Sequence, residues 1–191
     1  MTEQPQRPDP DNLLLQPELR RRGKLKIYFG ASAGVGKTYA MLQEAQRLRT
    51  QGLDVVCGVV ETHGRRETAG LLQGLPRLAP AKYLHRGKHI SGFDPDAALA
   101  RHPALILMDE LAFTNPPGSR HPKRWQDVDE LLDAGIDVLT TLNVQHLESL
   151  NDVVSSLTGI RVRETLPDPF FDAADEIILV DLPADDLRQR L

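Results

Sequence analysis

The sequence predicts a doubly wound α/β domain, a three-layer sandwich with a mainly parallel central sheet between helices. Three observations carry that expectation. Five short apolar runs, at 25–29, 54–62, 104–110, 136–143 and 176–182, are hydrophobic on both faces, as strands of a covered parallel sheet must be. Several segments between them repeat apolar residues at helical spacing, so strands and helices alternate. One junction, FGASAGVGKT, sets small residues, glycines and Gly-Lys-Thr between a strand and a helix.

Residues 1–23 form a polar, proline-rich lead-in, read as a flexible arm in which only Leu13, Leu14 and Leu15 could dock. A single domain is expected over 24–191. Its first strand, LKIYF, hands over to a helix in which Met41, Leu42, Ala45 and Leu48 share a face. The second run, DVVCGVVET, is valine-rich. The third is ALILMDE, followed by a shorter helix carrying Val128, Leu131 and Leu132. The fourth is IDVLTTLN, followed by a helix with Leu147, Leu150, Val154 and Leu157. EIILVDL is the fifth. ADDLRQRL then begins a helix that stops at the last residue, so the chain is expected to be the front piece of something longer.

Composition narrows the function classes. The 191 residues suffice for one cored domain, and 40% hydrophobic with 26% charged residues is ordinary for a globular protein. A formal net charge of -4 argues against a general nucleic-acid coat. Cys57 is the single cysteine, so no internal disulfide forms, which fits a reducing compartment. No apolar run approaches the ~18 residues of a membrane span, and MTEQPQRPDPDN has no apolar signal core. The expected location is cytoplasmic.

The candidate chemistry begins at the first junction. A Walker A loop reads G-x-x-x-x-G-K-[ST]. Gly36-Lys37-Thr38 supplies its end, but Ala31 stands where the first glycine belongs, and Gly30 comes one residue early. The physical needs are still met: a strand delivers the loop, small residues and glycines let backbone N–H groups turn around an anion, and a helix N-terminus follows. Phosphate binding is therefore expected over Ala31, Ser32, Ala33, Gly34, Val35, Gly36, Lys37, Thr38 and Tyr39. Lys37 would reach the β- and γ-phosphates, and Thr38 would ligate Mg²⁺.

ALILMDE has the form of a Walker B strand, with Asp109 expected in the Mg²⁺ shell and Glu110 as a general base beside the γ-phosphate. The strand 54–62 lies between the two motifs in sequence. That spacing suits the P-loop class in which an extra strand separates the Walker A and Walker B strands. Thr141 and Asn143, at the end of the fourth strand, are candidate γ-phosphate sensors, with helix capping as the equal alternative for Asn143. From ETHGRRET, the residues Glu61, Thr62, His63, Arg65 and Arg66 would face either a ligand or solvent. The loop TNPPGSRHPKRWQD carries Arg120, His121, Lys123 and Arg124 and is stiffened by Pro116 and Pro117. It reads as a lid, a docking loop or the source of an arginine finger across a dimer, with Trp125 anchoring it. His146 lacks a dimerising helix pair and is not expected to be a phosphoacceptor. His85 and His89 fall in what reads as a loop without carboxylate partners, and no zinc is expected.

The motifs KIYFGASAGVGKTYAML, GVVETHGR, PALILMDELAFTN, PGSRHPKRWQD, NVQHLESLND and RETLPDPFFDAAD together resemble the N-terminal cytoplasmic domain of KdpD-type sensor histidine kinases, which respond to potassium limitation and osmotic stress. The resemblance runs from about Gly23 to Leu191. It implies a P-loop NTPase-like module that binds ATP with Mg²⁺, with Walker A over Ala31 to Thr38 and Walker B over Leu105 to Asp109. Phe113 stands where many relatives carry histidine. It also implies that a universal-stress-like domain, membrane spans and the histidine-kinase parts lie outside this chain. The partners would then be ATP, the rest of an inner-membrane sensor kinase and a Kdp-system protein, with a homodimer also open. Two functions compete. One is a regulatory ATP-binding module, and the other is an ATPase or a P-loop kinase acting on a serine or threonine of a partner. A vestigial interaction domain is a third, opposed by the intact Lys37, Thr38 and Asp109.

Overall fold

The computed structural model describes residues 21–159 and 162–181. Five strands form one sheet: β1 (Leu25–Gly30), β2 (Val55–Val59), β5 (Leu105–Met108), β6 (Asp137–Asn143) and β7 (Glu176–Leu179). Their order is β2-β5-β6-β1-β7 and every pairing is parallel. The helices are α1 (Lys37–Thr50), α2 (Arg66–Gly70), α3 (Pro95–Arg101), α4 (Arg124–Asp133), α5 (Glu148–Thr158) and α6 (Asp168–Asp172). An extra strand does separate β1 from β5, the two strands that carry the expected Walker motifs. It is β6, while β2 takes the edge beyond β5.

Strand periodicity divides the apolar residues between two cores. Along β5, Ile106 and Met108 face one core and Leu105 and Leu107 the other. On one side α4 contributes Val128, Leu131 and Leu132, all buried. On the other, α1 contributes Met41, Leu42 and Ala45. Each such large side chain stabilises the fold by about 1.5–3 kcal/mol. Both faces are covered over β1, β2, β5 and β6, which is why those strands read as continuous apolar runs, whereas edge strand β7 leaves Ile177 and Leu179 exposed.

Three expectations need correction. Four of the five strands are shorter than their apolar runs, and β1 extends one residue further, to Gly30. Val60 to Thr62 leave the sheet after β2, Asp109 and Glu110 lie just beyond β5, and Leu182, like the helix begun by ADDLRQRL, falls outside the described residues. The stretch holding His85 and His89 is not a loop. It is a hairpin of β3 (Ala81–His85) and β4 (Lys88–Gly92), antiparallel, pairing Leu84 with His89. Its turn is Arg86-Gly87, both at positive φ (49 and 77°), which matches the twist of a two-residue hairpin. On α5, Leu150 packs on the core but Leu157 is 81% exposed. The helix is seated on the core through Leu147 and its first turn. In addition, α6 and its Phe170 and Phe171 complete one core beside Trp125 and Phe29.

Of the arm, residues 1–20 lie outside the described residues. Gly23 N donates to Leu132 O at 2.7 Å, and Arg22 pairs with Asp129 and Asp133 of α4.

Asp127 of α4 is buried, accepts from Asn115 Nδ2 at 2.6 Å, and has its pKa pushed up to about 6 by burial, against the pull of Asn115, His121 and Arg124. A carboxyl raised in the folded state contributes its stability below about pH 4 and loses it as pH rises through about 6. Asp127→Asn keeps an acceptor for Asn115. It should flatten that part of the pH profile and stabilise the protein at pH 7 by about 1–3 kcal/mol. Urea unfolding of both proteins at pH 4, 5, 6 and 7 checks this.

Candidate functional site

Parallel register levels the carboxyl ends of three strands. Gly30 pairs with Asn143, Tyr28 with Thr141, and Met108 with Thr140. The loop after β1, the acids after β5 and the polar end of β6 therefore meet at one edge, where α/β folds bind ligands.

The loop needs two backbone conditions. Gly30 must lack a side chain, because a Cβ there would stand 2.7 Å from Val180 O and 2.8 Å from Val35 Cγ2. Gly34 and Gly36 have φ of 94 and 99°, where glycine is unstrained. Gly36 is the N-cap of α1, with no capping side chain and no acid in the first turn. The N-terminal amides of the helix are thus left without a side-chain acceptor, and its partial positive charge without a counter-charge. At the other end, Arg47 and Arg49 complement the dipole.

Lys37 is 8% exposed, and its Nζ donates back to Ser32 O at 2.7 Å. Burial lowers its pKa to about 8. Asp109 and Glu110 oppose that shift, while Arg65 adds to it. Thr38 sits one residue on, and its hydroxyl donates to Asp109 Oδ2 at 3.1 Å. Asp109 is fully buried and accepts from four groups: Thr38 Oγ1, Thr141 Oγ1, Glu61 N and Glu110 N.

Glu110 adopts φ 57°, unusual for a residue with a Cβ. Its N–H donates to Thr141 Oγ1 at 3.0 Å, and Arg124 Nη1 donates to the main-chain oxygens of both Asp109 and Glu110. The backbone is locked there, and the carboxylate lies 3.3 Å from His63 Nε2.

Lys37, Thr38, Thr141 and Glu110 wall a cleft of about 210 Å³, while Asp109, fully buried, lies behind Thr38 and Thr141 and does not line it. Ala33, Gly34, Gly36, Lys37, Thr38 and Tyr39 line it, as do Glu110, Thr141 and Asn143. Ala31, Ser32 and Val35 do not. Val35 is buried beneath the loop, and Ser32 Oγ donates to Ala33 O. From the second strand's exit Glu61, Thr62, His63 and Arg65 reach the cleft, and Arg66 does not. His146 lines it from a 3₁₀ turn, with Nδ1 2.7 Å from Glu164 O. Glu164 and Thr68 also line it and were missed: no phosphate-loop pattern reaches as far as Glu164, and Thr68, at the end of ETHGRRET, carries no charge to mark it.

The basic loop is tied down by its own side chains. Arg120 pairs with Asp96 and Glu130, His121 with Glu130, and Lys123 with Thr114 Oγ1. Arg124 is buried behind Asp109, with its guanidinium 4.3 Å from the Phe113 ring centre. None of the four lines the cleft of its own chain. Their partners come from α3, α4 and the residues after β5, a tertiary fact that the run of basic letters conceals. Trp125 does anchor the loop, packing 5.3 Å from Phe170.

The donor set fits a metal–nucleotide: a hydroxyl and a carboxylate on facing elements, a lysine beside a glycine-bearing helix N-terminus, and Asn143 Oδ1 buried without a partner at the wall. Among the described residues no helix is long and apolar enough to cross a membrane.

Residues 21–191 match the family described as KdpD, osmosensitive K⁺ channel His kinase sensor domain. The chain is 72% identical over 191 residues to the sensor protein KdpD of Escherichia coli K12, covering all of this chain and 21% of that protein. It is 56% identical over 171 residues to sensor protein KdpD of Mycobacterium tuberculosis H37Rv, covering 90% of this chain and 20% of that one. It is 51% identical over 189 residues to that of Clostridium acetobutylicum, covering 97% and 21%. The chain thus spans about a fifth of the length of these relatives.

Proposed function

Because the chain belongs to the KdpD family of osmosensitive K⁺ channel histidine-kinase sensor domains, we propose that it is the Mg-ATP-binding regulatory module of a membrane-anchored two-component sensor kinase. In this reading it works on the cytoplasmic side, as part of a longer protein that responds to potassium and osmotic stress. The observation that carries the reading is the junction of Lys37, Thr38 and Asp109. A buried, depressed lysine and a hydroxyl–carboxylate pair meet at an uncapped helix N-terminus.

Thr38 and Asp109 would hold the Mg²⁺, which neutralises charge on the β- and γ-phosphates. Lys37 would exchange Ser32 O for a phosphate oxygen and regain full protonation beside it. The loop amides and the α1 N-terminus would take the remaining phosphate charge. Asn143 and Thr141, at the end of β6, would report on whether the γ-phosphate is present. Thr141 does so through Asp109, which it already holds.

A second reading is that the module hydrolyses ATP or passes its γ-phosphate to a serine or threonine of a partner. Glu110 favours it. A non-glycine residue held at φ 57° by Thr141 and Arg124 stores about 1–3 kcal/mol of strain. That strain sets a carboxylate at the cleft. Incubation with Mg²⁺ and γ-labelled ATP separates the two. The regulatory reading expects label retained on bound nucleotide, equally in the wild type and Glu110→Gln. Label released or transferred, and cut about a hundredfold or more in Glu110→Gln, would establish the enzyme instead.

A further inference from the structure

A second cavity, of about 350 Å³, lies between the β3–β4 hairpin, the end of β2 and the loop after β5. It adjoins the nucleotide cleft through Glu61 and Phe113 but is otherwise separately walled. Val60, Leu78, Phe93 and Pro116 make its apolar sides. Two guanidinium groups line it. Arg77 is exposed at its rim. Arg124 is 5% exposed, and its Nε is buried with no hydrogen-bond partner among the described residues. The far side of that guanidinium is already committed to the carbonyls of Asp109 and Glu110. A buried cation with an unused donor is costly unless something accepts from it. Among the lining side chains two cations face one carboxylate, Glu61; the other carboxylates that act on Arg124, namely Asp109, Glu110 and Asp127, lie outside the lining. The volume lies in the range of small-molecule sites, which combine apolar walls with a few fixed polar groups.

We propose that this cavity is a binding site for a small organic anion, a carboxylate or phosphate monoester on an apolar body. The charged end would lie at Arg77 and Arg124, and the body against Phe93 and Leu78. The site is distinct from the phosphate loop and does not depend on what that loop binds.

The test is amide chemical-shift titration of the 191-residue chain with phenyl phosphate and benzoate, with benzyl alcohol as the uncharged control. Replacing Arg124 could disturb the fold, so the charge is tested with Arg77→Gln, an exposed position. Lys37→Ala serves as the phosphate-loop control. The expected result is saturable shifts at Cys57 to Val60, Leu78, Phe93 and Asn115. They persist in Lys37→Ala, weaken about tenfold in Arg77→Gln, and are absent with benzyl alcohol. Shifts confined to Gly34–Thr38 and lost in Lys37→Ala would place the anion at the phosphate loop and overturn the proposal. So would equal binding of benzyl alcohol, or no saturable shift at all.

Discussion

Lys37→Ala is expected to reduce Mg-ATP affinity at least a hundredfold while leaving the fold at least as stable as the wild type. The two effects have one cause. Burial makes the charged lysine costly, enough to lower its pKa to about 8, and among the described residues its Nζ donates to Ser32 O alone. Removing it relieves a desolvation penalty but takes away the cation that a phosphate would meet in a water-poor site. The same shift gives a pH signature. With a pKa near 8 in the free cleft and a higher one beside phosphate, binding takes up a proton. Affinity should then fall as pH rises above about 8, by up to tenfold per unit until the bound-state pKa is reached. Calorimetric titration at pH 8.5, in buffers of different ionisation enthalpy, reads the proton uptake directly. In Lys37→Ala it should vanish. A variant that binds Mg-ATP with wild-type affinity would refute the assignment of the loop.

Asp109→Asn has the second-largest expected effect, and it falls on both stability and metal dependence. Four donors converge on two carboxylate oxygens in a fully buried place. An amide offers only one oxygen. The hydroxyls of Thr38 and Thr141 can rotate and accept from the new NH₂ group, but the backbone N–H groups of Glu61 and Glu110 cannot. With the amide oxygen serving Glu61 N, Glu110 N keeps Thr141 Oγ1, and it is that threonine hydroxyl which gives up its bond to the carboxylate, at a cost of about 1–3 kcal/mol. The charge that would hold Mg²⁺ beside Thr38 is lost as well, so the preference for Mg-ATP over free ATP should fall at least tenfold. Thermal unfolding and ATP titration with and without Mg²⁺ check the two effects separately. Unchanged stability together with unchanged magnesium dependence would remove Asp109 from the role given to it.

Sequence and structure agree where the controlling physics is local. Strand 25–30 and helix 37–50 were legible because their periods are written in adjacent letters, and the small residues between them are what a turn at positive φ requires. Asp109 was legible because it ends an apolar run. The hairpin at 81–92 escaped because Arg86-Gly87 is not among the common turn pairs, and its flanks alternate only weakly. Glu164 escaped for a different reason: its place at the cleft comes from α5 and the return of the chain through Leu166, which bridges to Leu147.

The sequence by itself determined the layered α/β class, the phosphate-type loop and the acidic strand end, because hydrophobic period and backbone freedom are properties of neighbouring residues. Only the tertiary structure decided which strand stands between β1 and β5, and that Arg124 supports Asp109 from behind rather than reaching across an interface. It alone set His63 against Glu110. Those outcomes depend on contacts between residues dozens of positions apart. Competition among buried charges for few acceptors selects them, and no local pattern records that competition.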